Sequence, residues 1–196
     1  MSARYRKAFE PLTSKIAACF TWVHPNAITY FSIVVAIASA YAYANKFWIW
    51  GGLLGLFAGL LDSLDGSVAR KTGRTSKWGA YLDAIVDRYV EAIILFGVAW
   101  GSWMWAPVYI IIVGSLLISY AKARAAMETK VDNINWPDIF ERAERMLLVN
   151  IGVPIFAYTG FLFYYLWILA VLFHLGAIQR ILRVRRMLYG SVRRRR

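Results

Sequence analysis

Asp62, Asp65, Asp83, Asp87 and Glu91 crowd into one short stretch of a chain that has 11 acidic residues in all. Each lies in or beside a long apolar run, where a charged side chain at a helix centre costs about 2.5–3.5 kcal/mol on insertion scales. Carboxylates persist there only against a cation, a proton or a basic partner. Spacing narrows the choice. On a helix, Asp62, Asp65 and Ala69 share one face, and Gly79, Asp83 and Asp87 form a stripe at i, i+4 and i+8. The short connection 71–78 makes the two helices antiparallel neighbours, so their acid faces converge near one membrane surface. Four convergent carboxylates without His or Cys suit a hard cation, Mg²⁺ or Mn²⁺, which also accepts phosphate oxygens as ligands. Gly66 and Ala69 leave small surfaces between the acids where a bulky ligand group can approach the backbone. Arg70, at the end of that face, can hold phosphate oxygens. Glu91 lies one turn beyond and is expected to pair with Arg88 or Lys122, outside the site.

A second constellation is basic. Ser119, Lys122 and Arg124 end the fourth apolar run, Arg142 and Arg145 open the fifth three residues apart, and Arg180 lies on the sixth. Guanidinium forks bind phosphate oxygens in pairs, so this set reads as a pocket for a phosphorylated acceptor. The alternative is an ordinary basic collar against anionic lipid. A serine or ethanolamine acceptor would call for other groups. One cysteine, Cys19, excludes an intrachain disulfide, and two distant histidines, His24 and His174, give no imidazole metal site. Nor does any Ser-His or Cys-His pair offer a nucleophile.

The elements that carry these residues are membrane helices. Hydrophobic residues make up 60% of the 196, above the roughly half of a soluble domain. Six runs approach the roughly 20 residues of a helical crossing, at 26–44, 48–68, 78–103, 106–124, 145–165 and 166–182. The expected fold is an all-α integral membrane protein with six transmembrane helices. Of the 23 Lys and Arg residues only Lys46 falls in an outside connection, which places both termini and the acid cluster on the cytoplasmic side of the plasma membrane. The net charge of +12 is then a collar against anionic lipid rather than a nucleic-acid surface. Tyr5, Phe9, Leu12, Ile16 and Phe20 recur at helical intervals among basic residues, which predicts an interfacial amphipathic helix over 1–23. The membrane domain is expected over 24–188, followed by a basic tail over 189–196. No signal peptide is evident.

Asp62-x2-Asp65-Gly66-x2-Ala69-Arg70-x8-Gly79-x3-Asp83-x3-Asp87 resembles the signature of CDP-alcohol phosphotransferases at every fixed position and gap. Pro25-Asn26-x2-Thr29 is similar to the segment that family members carry beside the nucleotide. The resemblance implies that Asp62, Asp65 and Asp83 bind a pair of Mg²⁺ or Mn²⁺ ions, with Asp87 sharing their shell or acting as general base. It also implies that Gly66, Ala69, Arg70, Ser76 and Gly79 surround the CDP group, with Asn26 and Thr29 nearby. The stretches around Lys122–Arg124 and Glu141–Arg145 are similar to those of phosphatidylinositol-phosphate synthases and their archaeal counterparts. Inositol 1-phosphate is the acceptor this implies, held by Ser119, Lys122, Arg142, Arg145 and Arg180, in a homodimeric enzyme that draws a CDP-lipid from the membrane. Two other readings stay open: glycerol 3-phosphate as acceptor, and an ion transporter that uses its intramembrane carboxylates.

Overall fold

The structure, a computed structural model, describes residues 16–128 and 140–193. The expected interfacial helix over 1–23 therefore lies mostly outside the described residues; its end, 16–19, is helical and buries Ala17 in the core. The segment 129–139 and the last three arginines also lie outside them.

All regular structure among the described residues is helical. Helix α1 spans Pro25–Ala44, α2 Trp48–Lys71, α3 Lys77–Ser102 and α4 Trp105–Glu128. A short α5, Arg142–Leu147, runs through a π-helical turn, Leu148–Gly152, into α6, Val153–Tyr158. The last helix, α7, spans Leu162–Arg193. Local chemistry sets the ends. His24 caps α1 by accepting from the Asn26 N–H, and Pro25 takes the first helical position, where its missing N–H costs nothing. Gly73, at φ 68°, turns the chain after α2 while the Arg74 N–H returns to the Ala69 carbonyl at 3.0 Å. Ser76 then caps α3 by accepting from the Gly79 N–H at 2.9 Å.

Four helices are long and apolar enough to cross a membrane: α1, α2, α4 and the Leu162–Tyr189 part of α7. Their outer faces agree, with Ile37, Leu53 and Ile168 all more than half exposed, an arrangement suited to lipid rather than water. Helix α3 has the length but carries Asp83, Asp87, Arg88 and Glu91 in its body. The run expected as a continuous fifth crossing over 145–165 is instead α5, the π turn and α6, ended near Gly160 at φ 79°. Residues 162–165 belong to α7. The cause of the π turn is Pro154, which has no N–H to return to residue 150. Tyr165 supports the turn by donating its hydroxyl to the Leu148 carbonyl at 2.7 Å.

Helix α1 packs along both α2 and α3, and α4 packs along α7. Within the first group α2 and α3 touch each other far less than either touches α1, so α1 is the wedge that sets their separation. Lipid offers no hydrophobic drive between helices, and small residues that let backbones approach are the usual substitute. Gly97 does this on α3: a Cβ there would overlap the backbone of Ala40 on α1. Gly97→Ala is accordingly expected to lower folding stability by about 1–3 kcal/mol, as overpacking does. Thermal unfolding in detergent checks this, and an unchanged midpoint would show that the helices can part freely.

Candidate active site

Two linked features occupy the ends of α2 and α3. Asp62, Asp83 and Asp87 each bring a carboxylate oxygen within 4.8 Å of the others. Beside them a cleft of ≈ 220 Å³ opens between the starts of α1 and α3 and the end of α2. Asn26, Thr29, Asp65, Gly66, Ala69, Arg70, Ser76, Gly79 and Asp83 all line it. Of the residues expected around the nucleotide all but Asp62 therefore share one cavity, and Asp83 belongs to both the cavity and the carboxylate trio.

Asp65 sits beside the trio rather than within it. It is 4% exposed and accepts a short hydrogen bond from the Thr29 hydroxyl on α1, apart from the trio. Thr29 also donates to the Pro25 carbonyl, so the first turn of α1 and the acid face of α2 are tied through one hydroxyl. Arg74, Thr75 and Ala80 line the cleft as well, and sequence reasoning missed them. The signal was Gly73, whose left-handed turn folds the chain back over Ala69 and carries Arg74 with it.

The basic residues separate by what they touch. Arg142 enters the carboxylate trio, with Nη1 2.6 Å from Asp62 and 2.7 Å from Asp87. Asp87 also meets Arg88 at 3.3 Å. Arg145 is 1% exposed and engaged on every side: Nε and Nη2 grip Glu91 at 3.0 and 3.1 Å, Nη1 donates to the Phe140 carbonyl at 3.0 Å, and Nη2 reaches Ser119 at 3.4 Å. Glu91 thus pairs with Arg145 rather than with Arg88 or Lys122. Arg180 is buried and donates to the Ile118 carbonyl at 2.7 Å, one residue before Ser119. Arg124 is half exposed and bridges to Glu128 one turn along its own helix, away from the cluster. Lys122 is partly buried on the same helix as Ser119.

Glu141 and Glu144 have a separate task. The Glu144 carboxylate accepts from the Glu141 N–H at 3.1 Å, which closes the start of α5 and satisfies a donor the helix leaves open. In Glu-Arg-Ala-Glu-Arg the glutamates build the helix start and the arginines face inward.

The trio fits a divalent cation. Its donors are all carboxylate oxygens, and Asp83 Oδ1 is buried with no hydrogen-bond partner among the described groups. A hard cation meets that need. Arg142 already lies on Asp62 and Asp87, so it and a cation compete for the same oxygens.

With that geometry in place, comparison with known proteins gives the class. Residues 22–181 match the sequence model of the CDP-alcohol phosphatidyltransferase family, and the chain belongs to that family. It is a transferase whose carboxylate trio could hold a divalent metal. Its relatives include the archaetidylinositol phosphate synthase of Pyrococcus horikoshii, 33% identical over 66% of this chain and 69% of the relative. The phosphatidylinositol phosphate synthase of Cutibacterium acnes is 33% identical over 79% of this chain and 78% of its own. Among solved structures, the phosphatidylinositol phosphate synthase of Mycobacterium tuberculosis with CDP-DAG bound superposes with a TM-score of 0.78 at 27% identity, covering 89% of this chain and 94% of that one. The same enzyme in complex with manganese and citrate gives a TM-score of 0.77 at 28% identity, covering 88% of each chain.

Arg142→Gln leaves Asp62 and Asp87 without their partner, and is expected to cost about 3–5 kcal/mol in chelator. Added Mn²⁺ should then raise the unfolding midpoint more in the variant than in the parent protein. A rise no larger than the parent's would show that arginine and cation do not share the site.

Proposed function

We propose that this protein transfers the lipid phosphate of a CDP-linked lipid to inositol 1-phosphate and releases CMP. The observation that carries the reading is the shared position of Asp83, which lines the nucleotide-sized cleft and also belongs to the carboxylate trio. A reaction at a pyrophosphate needs both features side by side. The names of the relatives in two domains of life, archaetidylinositol and phosphatidylinositol phosphate synthases, support the acceptor. The basic residues beside the trio suit a phosphorylated alcohol.

In this reading Asn26, Thr29, Asp65, Gly66, Ala69, Arg70, Ser76 and Gly79 hold the CDP group, with Arg74 and Thr75 as additional walls. Asp62, Asp83 and Asp87 hold the divalent cations, and Asp65 stands next to them as a further ligand. Bound there, the metal neutralises the pyrophosphate and the leaving phosphate. An acceptor hydroxyl oxygen attacks the lipid-bearing phosphorus in line, the bond from that phosphorus to the CMP oxygen breaks, and the hydroxyl proton passes to Asp87. No covalent enzyme intermediate is needed. Asp87 begins the cycle paired with Arg142 and Arg88. Movement of Arg142 toward the acceptor phosphate would free the Asp87 carboxylate to meet the acceptor hydroxyl. Ser119, Lys122, Arg142 and Arg180 form the acceptor side, with Arg145 behind them.

The reading extends to architecture. The bundle crosses the membrane six times, with α3 and the α5–α6 unit as the two further crossings. Both termini and the site face the cytoplasm, and two copies assemble as a dimer. The membrane domain runs from 24 to 188, after a basic leader at 1–23 and before a basic tail at 189–196.

The test is CMP release by purified protein with CDP-lipid and Mg²⁺, offered inositol 1-phosphate, glycerol 3-phosphate, free inositol or serine in turn. Release that depends on inositol 1-phosphate is expected. Release driven by glycerol 3-phosphate would keep the reaction and replace the acceptor, whereas none with any alcohol would return the carboxylates to ion transport. Asp87→Asn is expected to cut turnover by at least about 100-fold while CDP-lipid still binds. Near-normal turnover in that variant would remove Asp87 as the base.

A further inference from the structure

Glu91 lies outside the family signature, yet it is 4% exposed in the body of α3 and grips Arg145 with both carboxylate oxygens. The pairing is one of two rungs. Asp87 and Glu91 are four residues apart on α3, Arg142 and Arg145 are three apart on α5, and Asp87 meets Arg142 as Glu91 meets Arg145. The first rung belongs to the reacting end; the second lies one turn deeper and touches neither the carboxylate trio nor the cleft.

We propose that Glu91 is a positioning residue for the acceptor side of the reaction, acting through Arg145 to set where Ser119 and Arg142 point. The proposal rests on the phosphorylated-acceptor reading above. A buried ion pair of this kind adds little stability over an apolar pair of the same size, so stability alone does not account for it. Geometry does. With Nε and one Nη2 bond on Glu91, the guanidinium plane is fixed, and its remaining donors fall on Ser119 and on the Phe140 carbonyl. Phe140 has φ 61°, a strained value for a residue with a side chain. It precedes the α5 start by two residues, so holding its carbonyl holds the start of the helix that presents Arg142. Ser115, one turn before Ser119 on α4, lines the same small recess as Glu91. Without the Glu91 charge, Arg145 would be left buried and unpaired, with the carboxylate trio one turn away as its nearest compensation. It would then compete with Arg142 there and leave Ser119.

The experiment compares the full-length protein with Glu91→Gln, Glu91→Asp and the double variant Glu91→Leu/Arg145→Met, which removes both charges together. Glu91→Gln is expected to raise the KM for inositol 1-phosphate by at least about 10-fold while the KM for CDP-lipid stays within about two-fold. Glu91→Asp should recover part of that loss. The double variant should regain the parent's unfolding midpoint yet keep the raised acceptor KM, because Ser119 has still lost its partner. An unchanged acceptor KM in Glu91→Gln, an equal rise in both KM values, or recovery of acceptor KM in the double variant would each overturn the proposal. Calorimetric titration of inositol 1-phosphate into each protein separates this outcome from failure of the reaction itself. Should the parent bind the acceptor without releasing CMP, the reaction assignment fails while Glu91 is still judged by the loss of binding. Absence of binding by the parent would overturn both.

Discussion

Three carboxylates held within 4.8 Å of one another on two helices are the constraint to which the rest of the chain answers. Like charges that close repel, and partial burial removes the water that would otherwise screen them. Something positive must be present at all times. In this structure Arg142 provides it to two of the three, and Asp83 keeps an oxygen without a partner. The arrangement is stable enough to fold and still has an unmet need that a divalent cation satisfies. The same electrostatics that threaten the bundle therefore define its chemistry.

The surrounding elements make that constraint tolerable. Helix α1 separates α2 and α3 along most of their length, with close approach at Gly97, and the Gly73 turn brings their ends together where the acids lie. The Thr29 hydroxyl anchors Asp65 beside the trio, so this fourth carboxylate has a hydrogen-bond donor of its own. On the opposite side, α5 begins with a strained Phe140 and a glutamate pair that close its first turn, so that two arginines enter from one short helix. The π turn behind it accommodates Pro154 without opening the packed face.

Much of this was legible in the residues. The i, i+4 spacing of Asp83 and Asp87, and Asp62 facing them from an antiparallel helix, predicted their convergence, because helical periodicity alone determines which face each side chain takes. The cleft was legible through the family resemblance, which assigned Asn26, Thr29, Ser76 and Gly79 to the nucleotide; the structure brings these residues from the starts of α1 and α3 to one cavity. Arginine assignments were harder. Arg142 and Arg145 share a spacing and a charge, yet one meets the trio and the other is fully engaged by Glu91. Which acid an arginine finds depends on the depth at which two helices cross, and no pattern along either helix encodes that depth. Glu91 was set aside for the same reason. The break in the fifth run was also hidden, since Pro154 can kink, end or be absorbed by a helix according to what packs on it.

Direct binding of Mn²⁺ to the detergent-solubilised protein, read by electron paramagnetic resonance, tests the account at its centre, with Asp83→Asn as the decisive variant. Asp83 makes no ion pair with Arg142, so its loss reports on the cation rather than on the arginine. The account predicts saturable binding by the parent protein and a loss of at least about 10-fold in affinity for Asp83→Asn, as expected when a charged ligand is removed. Equal Mn²⁺ affinity in the two proteins, or no binding by either, would contradict it.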